Sequence, residues 1–241
     1  MTSSIMTFMK KAVSSRTLVV LLGLLPVAAP GQEAGVSSPV QLDSPWKRAV
    51  YAFAEQNLQH TAWGLQHYER NYLLASELAA QESIPIDDDV LFAAAFLHDM
   101  GTFEPYVVAG AEHSATAADV VNTVLEDSGF PMEKLDAVKS AILAHMYYAE
   151  VPGDATAQVL HDADTLDFLG VIGVTRILSL TTRHGWATDL QTAIATLENF
   201  AQQLPGALVT RAARSMADER VAEMEAFLVT LRQQSGGGQA L

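Results

Sequence analysis

Cysteine is absent from the 241 residues. No disulfide framework is possible, and thiolate metal sites and cysteine nucleophiles are excluded. Cations are scarce: 14 Lys+Arg stand against 28 Asp+Glu, a formal charge of −14. A nucleic-acid-binding surface is disfavoured, because a phosphate backbone needs a positive face. No convincing alternating apolar/polar stretch marks a strand, and no internal repeat is visible. The longest apolar run, TLVVLLGLLPVAA over 17–29, is too short to span a bilayer comfortably.

That run has a context of its own. Lys10, Lys11 and Arg16 precede it, and no acidic residue occurs before Glu33. A basic start, a short apolar stretch and small residues after it predict a signal peptide over 1–31, with Ala29 and Gly31 favouring cleavage before Gln32. An uncleaved anchor is the alternative. Loss of those three cations would leave 11 Lys+Arg against the same 28 acids. The expectation is an exported protein, periplasmic or secreted, with no stable membrane insertion after cleavage.

Residues 32–44 are small and polar and read as a linker. From Pro45 the apolar spacing is helical nearly throughout, with 49% hydrophobic residues as core material. Ala49, Ala52, Phe53 and Leu58 form one stripe, and Tyr68, Tyr72, Leu73, Leu78 and Ala79 another. Pro85-Ile86-Asp87-Asp88-Asp89 reads as a loop and helix N-cap. Helices are expected over about 88–99, ending at Gly101, then 113–127, 132–147, 164–184 stopped by Gly185, 188–203 and 212–233. The tail 234–241 should be disordered. The class is all-α, with one domain from about 45 to 233.

All seven histidines, at 60, 67, 98, 113, 145, 161 and 184, lie in the middle half of the chain. A lone histidine in a helical protein is more often a hydrogen-bonded structural residue. Their order alongside carboxylates carries more. His67 lies in WGLQHYERNY, His98-Asp99 closes the apolar run LFAAAFL, His113 opens AEHSATAADVV, His145 ends AILAH, and Asp164 sits in HDADTLD.

A His on one helix, a His-Asp pair on a later one and a distant Asp resemble the HD-domain superfamily of metal-dependent hydrolases. The segments LLASELA, AAAFLHDMG and DADTLDFLGVIGVTR resemble its motifs, over about 60–184. The resemblance implies a helical bundle with a metal site in its core, held by His67, His98, Asp99 and Asp164. Some members add two histidines for a second ion; His113 and His145 stand in that order, with Asp99 then bridging. His113 at a helix surface and His145 beside a mononuclear site is the rival reading. Mixed imidazole and carboxylate ligation suits one or two divalent ions among Mn, Fe, Co, Ni and Zn, with Mg not separated from them. A cation would also allow Asp99 to lie near the core, where an unpaired carboxylate costs several kcal/mol or takes up a proton.

The implied activity is hydrolysis of a small phosphoester or phosphoanhydride, with Asp99 and His98 as catalytic residues. The superfamily also contains di-iron oxygenases and metal-dependent hydratases; a third hypothesis is a non-catalytic binding or metal-sequestering module that kept the fold. His60, Arg70 and Arg176 are candidates for contacting a small-molecule substrate, although capping by His60 and a salt bridge by Arg70 compete. Trp63 reads as core or pocket wall, Lys139 as solvated and His161 as peripheral. Asp167, three residues after Asp164, is placed to orient a ligand. Gly170 and Gly173 suggest close helix packing.

Overall fold

A computed structural model describes residues 39–182, 187–239 and 241. The leader 1–31, most of the linker, His184 and Gly185 therefore lie outside the described residues. The fold is all-α, and no strand occurs among the described residues beyond an isolated bridge between Thr181 and Ala187. No described helix is long and apolar enough to cross a membrane.

The helices in chain order are α1 (Pro45–Asn57), α2 (Leu65–Glu82), α3 (Asp88–Leu97), α4 (His113–Ser128), α5 (Leu135–Ala144), α6 (Ala155–Leu166), α7 (Gly170–Ser179), α8 (Leu190–Gln203) and α9 (Arg211–Gln234). Short 3-10 turns cover Met100–Thr102, Met132–Lys134 and Leu204–Gly206. α3 is the central rod, buried from Val90 to Leu97, as a helix apolar on every side must be. α1, α2, α5 and α6 pack around it, while α7, α8 and α9 pack on one another and α9 also meets α6 and α2. Phe92 and Phe96 stack at 4.4 Å, with Trp46 edge-on to Phe92 at 5.4 Å. Each fully buried Phe or Leu here contributes about 1.5–3 kcal/mol of transfer free energy.

Capping explains several boundaries. Asp87 Oδ1 accepts from the backbone N–H groups of Asp89 and Val90 at 3.1 and 3.3 Å, fixing the start of α3. The three adjacent acids are held by cations from elsewhere: Lys47 donates to Asp88 at 2.6 Å, and Lys134 to Asp87 and Asp89 at 2.9 and 2.7 Å. α4 ends at Gly129, whose left-handed φ of 82° suits a residue without Cβ.

Three expectations need correction. The helix of the His-Asp pair ends at Leu97, and Gly101 is not its stop signal. A Cβ on Gly101 would lie 2.2 Å from the carbonyl oxygen of His113, so this glycine lets the start of α4 press against the end of α3. The single helix expected over 164–184 is two. Asp164 lies in the last turn of α6, the chain breaks at Asp167–Leu169, and α7 starts at Gly170 with φ of 65°. An α6 beginning at Ala155, capped by Asp154 at 2.9 Å, was not expected. The helix expected over 132–147 is shorter, since Met132–Lys134 is 3-10 and α5 ends at Ala144. Residues 235–239 of the tail form turns, and Leu241 rests on the core.

Candidate metal centre

Four histidines and two aspartates from five helices or their ends converge. His67 projects from the first turn of α2. His98 caps the end of α3, and Asp99 follows at φ −92°, ψ 3°, where the chain turns into the 3-10 segment. His113 is the first residue of α4, His145 caps α5 and Asp164 ends α6. All are buried except His113, which is partly exposed.

Each imidazole is oriented through Nδ1. His67 Nδ1 lies 2.7 Å from Asp167 Oδ2. His98 and His145 point Nδ1 at the carbonyls of Ala95 and Ile142 in the last turns of α3 and α5, at 2.9 and 2.6 Å. His113 Nδ1 lies 3.1 Å from Glu112 Oε1. Every one of these partners is an acceptor, so Nδ1 carries the hydrogen and Nε2 presents a lone pair.

Those lone pairs face one another. His67 Nε2 is 3.2 Å from His98 Nε2, and His113 Nε2 is 3.3 Å from His145 Nε2. The carboxylates enter the same space. Asp164 Oδ1 is 3.2 Å from His67 Nε2 and 4.0 Å from His98 Nε2. Asp99 divides its oxygens: Oδ2 lies 3.5 and 3.3 Å from Nε2 of His67 and His98, while Oδ1 lies 3.4 and 3.8 Å from Nε2 of His113 and His145.

A cluster of acceptors at these spacings repels itself unless a positive charge lies among them. Ion–donor bonds of about 2.0–2.2 Å put neighbouring donors about 3–3.5 Å apart, as most of these are. His67, His98 and Asp164 form one candidate set, and His98, Asp99 and His145 another. The residues fit one or two divalent cations with mixed N/O ligation.

The proton equilibria express the same demand. Burial and Arg176 disfavour charge on His67, yet hydrogen bonds to Asp164, Asp167 and Asp99 outweigh them and raise its pKa to about 9. Burial works against ionised Asp99, but His98, His113 and His67 hold it well below the usual carboxylate range. Asp164 is depressed too, through His67 first, against its own burial. His145 is lowered to about 4, by burial and then by His98. A proton on His67 Nε2 would be a partial answer to the clustered charge. Asn71 braces the same corner: its amide nitrogen donates to Asp164 Oδ1 at 3.0 Å and lies 3.2 Å from His67 Nε2.

Asp167 is the hub beneath His67. Besides the imidazole it accepts from Arg70 Nε and Nη2, both at 2.8 Å, and forms an ion pair with Arg176 Nη1 at 3.0 Å. Arg176 leads, with both other partners following, in holding its carboxyl far below its ordinary pKa despite burial. A cavity of about 160 Å³ opens beside the cluster, lined by Trp63, Asp99, Thr102, His113, Met146, Asp164, Phe168 and Arg176.

The sequence model of the HD domain family matches residues 64–169. The matched stretch, which contains all six residues of the cluster, resembles an HD domain. Among solved structures of similar fold, a protein of Lactobacillus plantarum is 23% identical, with 80% of this chain and 98% of that one covered, at a TM-score of 0.57. YpgQ of Bacillus subtilis, solved in complex with ADP, is 20% identical over 78% of this chain and 97% of its own, at 0.59. An HD-superfamily hydrolase of Bacillus thuringiensis is 22% identical over 79% and 95%, at 0.56. No curated protein matches the chain.

The other expected residues fall in different places. Arg70 is committed to Asp167, which is the salt-bridge alternative, and it does not line the cavity. Arg176 does line it, with Nε donating to the Ala62 carbonyl at 2.7 Å and the guanidinium lying 4.3 Å over the Phe168 ring. His60 borders a different groove with Glu55 and Gln66. It stacks on Trp63 at 3.6 Å and its Nδ1 accepts from the Ala62 and Trp63 N–H groups, which is the capping alternative. His161 bridges the carbonyls of Ala144 and Ala207, away from the cluster. Asn71, Glu112 and Tyr148 were missed. Asn71 lies four residues after His67, on the same helical face, and that spacing was the available signal.

Proposed function

We propose that the protein is a metal-dependent hydrolase that cleaves a small phosphoester or phosphoanhydride, with two ions sharing Asp99. The observation that carries this reading is the division of the Asp99 oxygens between two histidine pairs beside an arginine-bordered cavity. Divalent ions held there would supply a water nucleophile active near neutral pH and neutralise charge on a phosphoryl group. His67, His98 and Asp164 would hold one, His113 and His145 the other. Asp99 borders the cavity and would accept the proton of the attacking water, while His98 keeps it ionised and oriented. Arg176, anchored by Asp167, would orient the phosphoryl oxygens.

The cavity of about 160 Å³ suits a phosphoryl group with few attached atoms; whole drug-sized ligands occupy roughly 300–1,000 Å³. The ADP bound to YpgQ favours a phosphoanhydride in this class, with any base outside. The formal charge of −14 favours a small molecule over a nucleic acid. The leader composition is the support for export, which would place the substrate outside the cytosol.

Protein purified without chelator should be analysed for metals and assayed on phosphomonoesters, nucleotides and cyclic nucleotides. Turnover that chelation abolishes and a divalent ion restores is expected. No turnover on any of them by metal-replete protein refutes the hydrolase reading, and O₂ consumption by iron-loaded protein would move the site to the oxygenases.

A further inference from the structure

The two halves of the cluster are tied together by analogous devices of unequal strength. In one half, His67 and Asp164 come from α2 and α6. Asp167, three residues beyond Asp164, reaches back to His67 Nδ1 at 2.7 Å, and so locks the two ligand-bearing segments to each other. In the other half, His113 and His145 come from the start of α4 and the end of α5. Tyr148, three residues beyond His145, donates its hydroxyl to Glu112 Oε1 at 2.8 Å, and the same oxygen lies 3.1 Å from His113 Nδ1. Each half thus has one carboxylate that orients a histidine and joins two of the segments carrying that half's ligands.

The surroundings differ sharply. The Asp167 side chain is 2% exposed and the His67 side chain 1%, and two arginines complete the lock. The Glu112 side chain is 50% exposed and that of His113 24%, while Tyr148 is 56% exposed. Water competes for every hydrogen bond of the second device and screens its charges, whereas the first is desolvated and cannot rearrange without stranding the buried Arg176 guanidinium. Partners behind a ligand set its orientation and basicity, and their loss typically weakens metal binding.

We propose that Glu112 and Tyr148 are positioning residues that form a solvent-accessible latch, and that the latch makes the His113/His145 position the exchangeable one of the two. The inference rests on the two-ion reading above. The His67/His98/Asp164 position keeps its ion, and occupancy of the other follows the state of the latch and the free metal concentration. The protein would then pass between one-ion and two-ion forms without unfolding.

The test is release of metal from the Mn-loaded protein to a competing chelator, followed by elemental analysis and by spectroscopy of the bound ions. Wild type should lose its ions in two resolved steps, the first at least about 10-fold easier than the second. Glu112→Ala should weaken only the first step, by about 10- to 100-fold, and Tyr148→Phe only that step, by about 3- to 10-fold. Glu112→Gln, which keeps an acceptor oxygen, should restore most of the loss. Two steps that neither substitution moves, or an equal weakening of both steps, would overturn the latch. A saturated wild type with one ion per chain would overturn the two-ion reading itself, and the latch with it. Both residues are exposed, so unchanged melting of the metal-free variants serves as the control for folding.

Discussion

Replacing Asp167 by asparagine removes one negative charge and almost no volume, from a group that now faces His67, Arg70 and Arg176. The remaining carbonyl can accept from one or two of these donors, while the new amide N–H₂ opposes the others. Arg176 is buried, and stranding one partner of a buried ion pair costs about 3–5 kcal/mol. Arg70 is partly exposed and finds water, so its share is small. At about 2–4 °C per kcal/mol for a domain of this size, the expected fall in melting temperature of the chelated protein is roughly 6–20 °C. Asp167 has its pKa depressed in the fold. Its stabilisation is therefore present above the ordinary carboxylate pKa of about 4 and is lost as pH falls through the lower folded value. The gap between wild type and Asp167→Asn should accordingly be full at pH 7 and narrow in strong acid. Freed from its acceptor, His67 should also hold metal about 10- to 100-fold less tightly. The measurements are urea unfolding of chelated protein at several pH values and a metal titration. An Asp167→Asn protein within about 0.5 kcal/mol of wild type at pH 7, the range of an ordinary surface change, would refute the buried hub.

Gly101→Ala should lose about 1–3 kcal/mol in denaturant unfolding, since its Cβ meets the His113 carbonyl at 2.2 Å and neither backbone can yield freely. His113→Ala should leave the protein folded but limit it to one ion per chain by elemental analysis, if Asp99 is shared as proposed. Metal-free protein should be most stable near pH 6–7. His67, raised to about 9, contributes stability that is complete below its unfolded pKa and lost as pH rises through 9; His145, lowered to about 4, withdraws stability as pH falls from its unfolded value toward 4. Added metal should flatten the alkaline decline, because the ion takes the place of the His67 proton. Arg176→Lys should raise KM for an anionic substrate more than it lowers kcat, as a planar guanidinium is replaced by a point charge; equal KM values would remove Arg176 from substrate recognition.

The all-α class and the order of the His and Asp motifs were legible because both are local. Helical periodicity needs only a few turns of sequence, and each metal-type side chain sits at a helix end or on an inward face that its neighbours define. α3 could be read as a buried rod from LFAAAFL alone, and the acid run before it as a cap. The break between α6 and α7 was not legible. DADTLDFLGVIGVTR carries apolar residues at helical spacing throughout, yet the chain extends at Leu169 and restarts at a left-handed Gly170, while Asp167 joins partners on α2 about a hundred positions away in the chain. The choice between the two readings of Arg70 was beyond local reach too: its spacing from His67 is visible, whereas its salt-bridge partner Asp167 comes from the end of α6.

What the amino-acid order determined alone is therefore the kind of rods, their approximate ends and the chemical types they carry at those ends. Only the packed structure decided that six of those side chains aim their lone pairs at a common space, that Asp99 faces both ways, and that one side of the space is locked by buried charge while the other is closed by an exposed Glu–Tyr contact. Periodicity is set within a turn or two of backbone. Convergence, burial and the effective dielectric around a charge depend on distant segments, and they exist only once the helices have met.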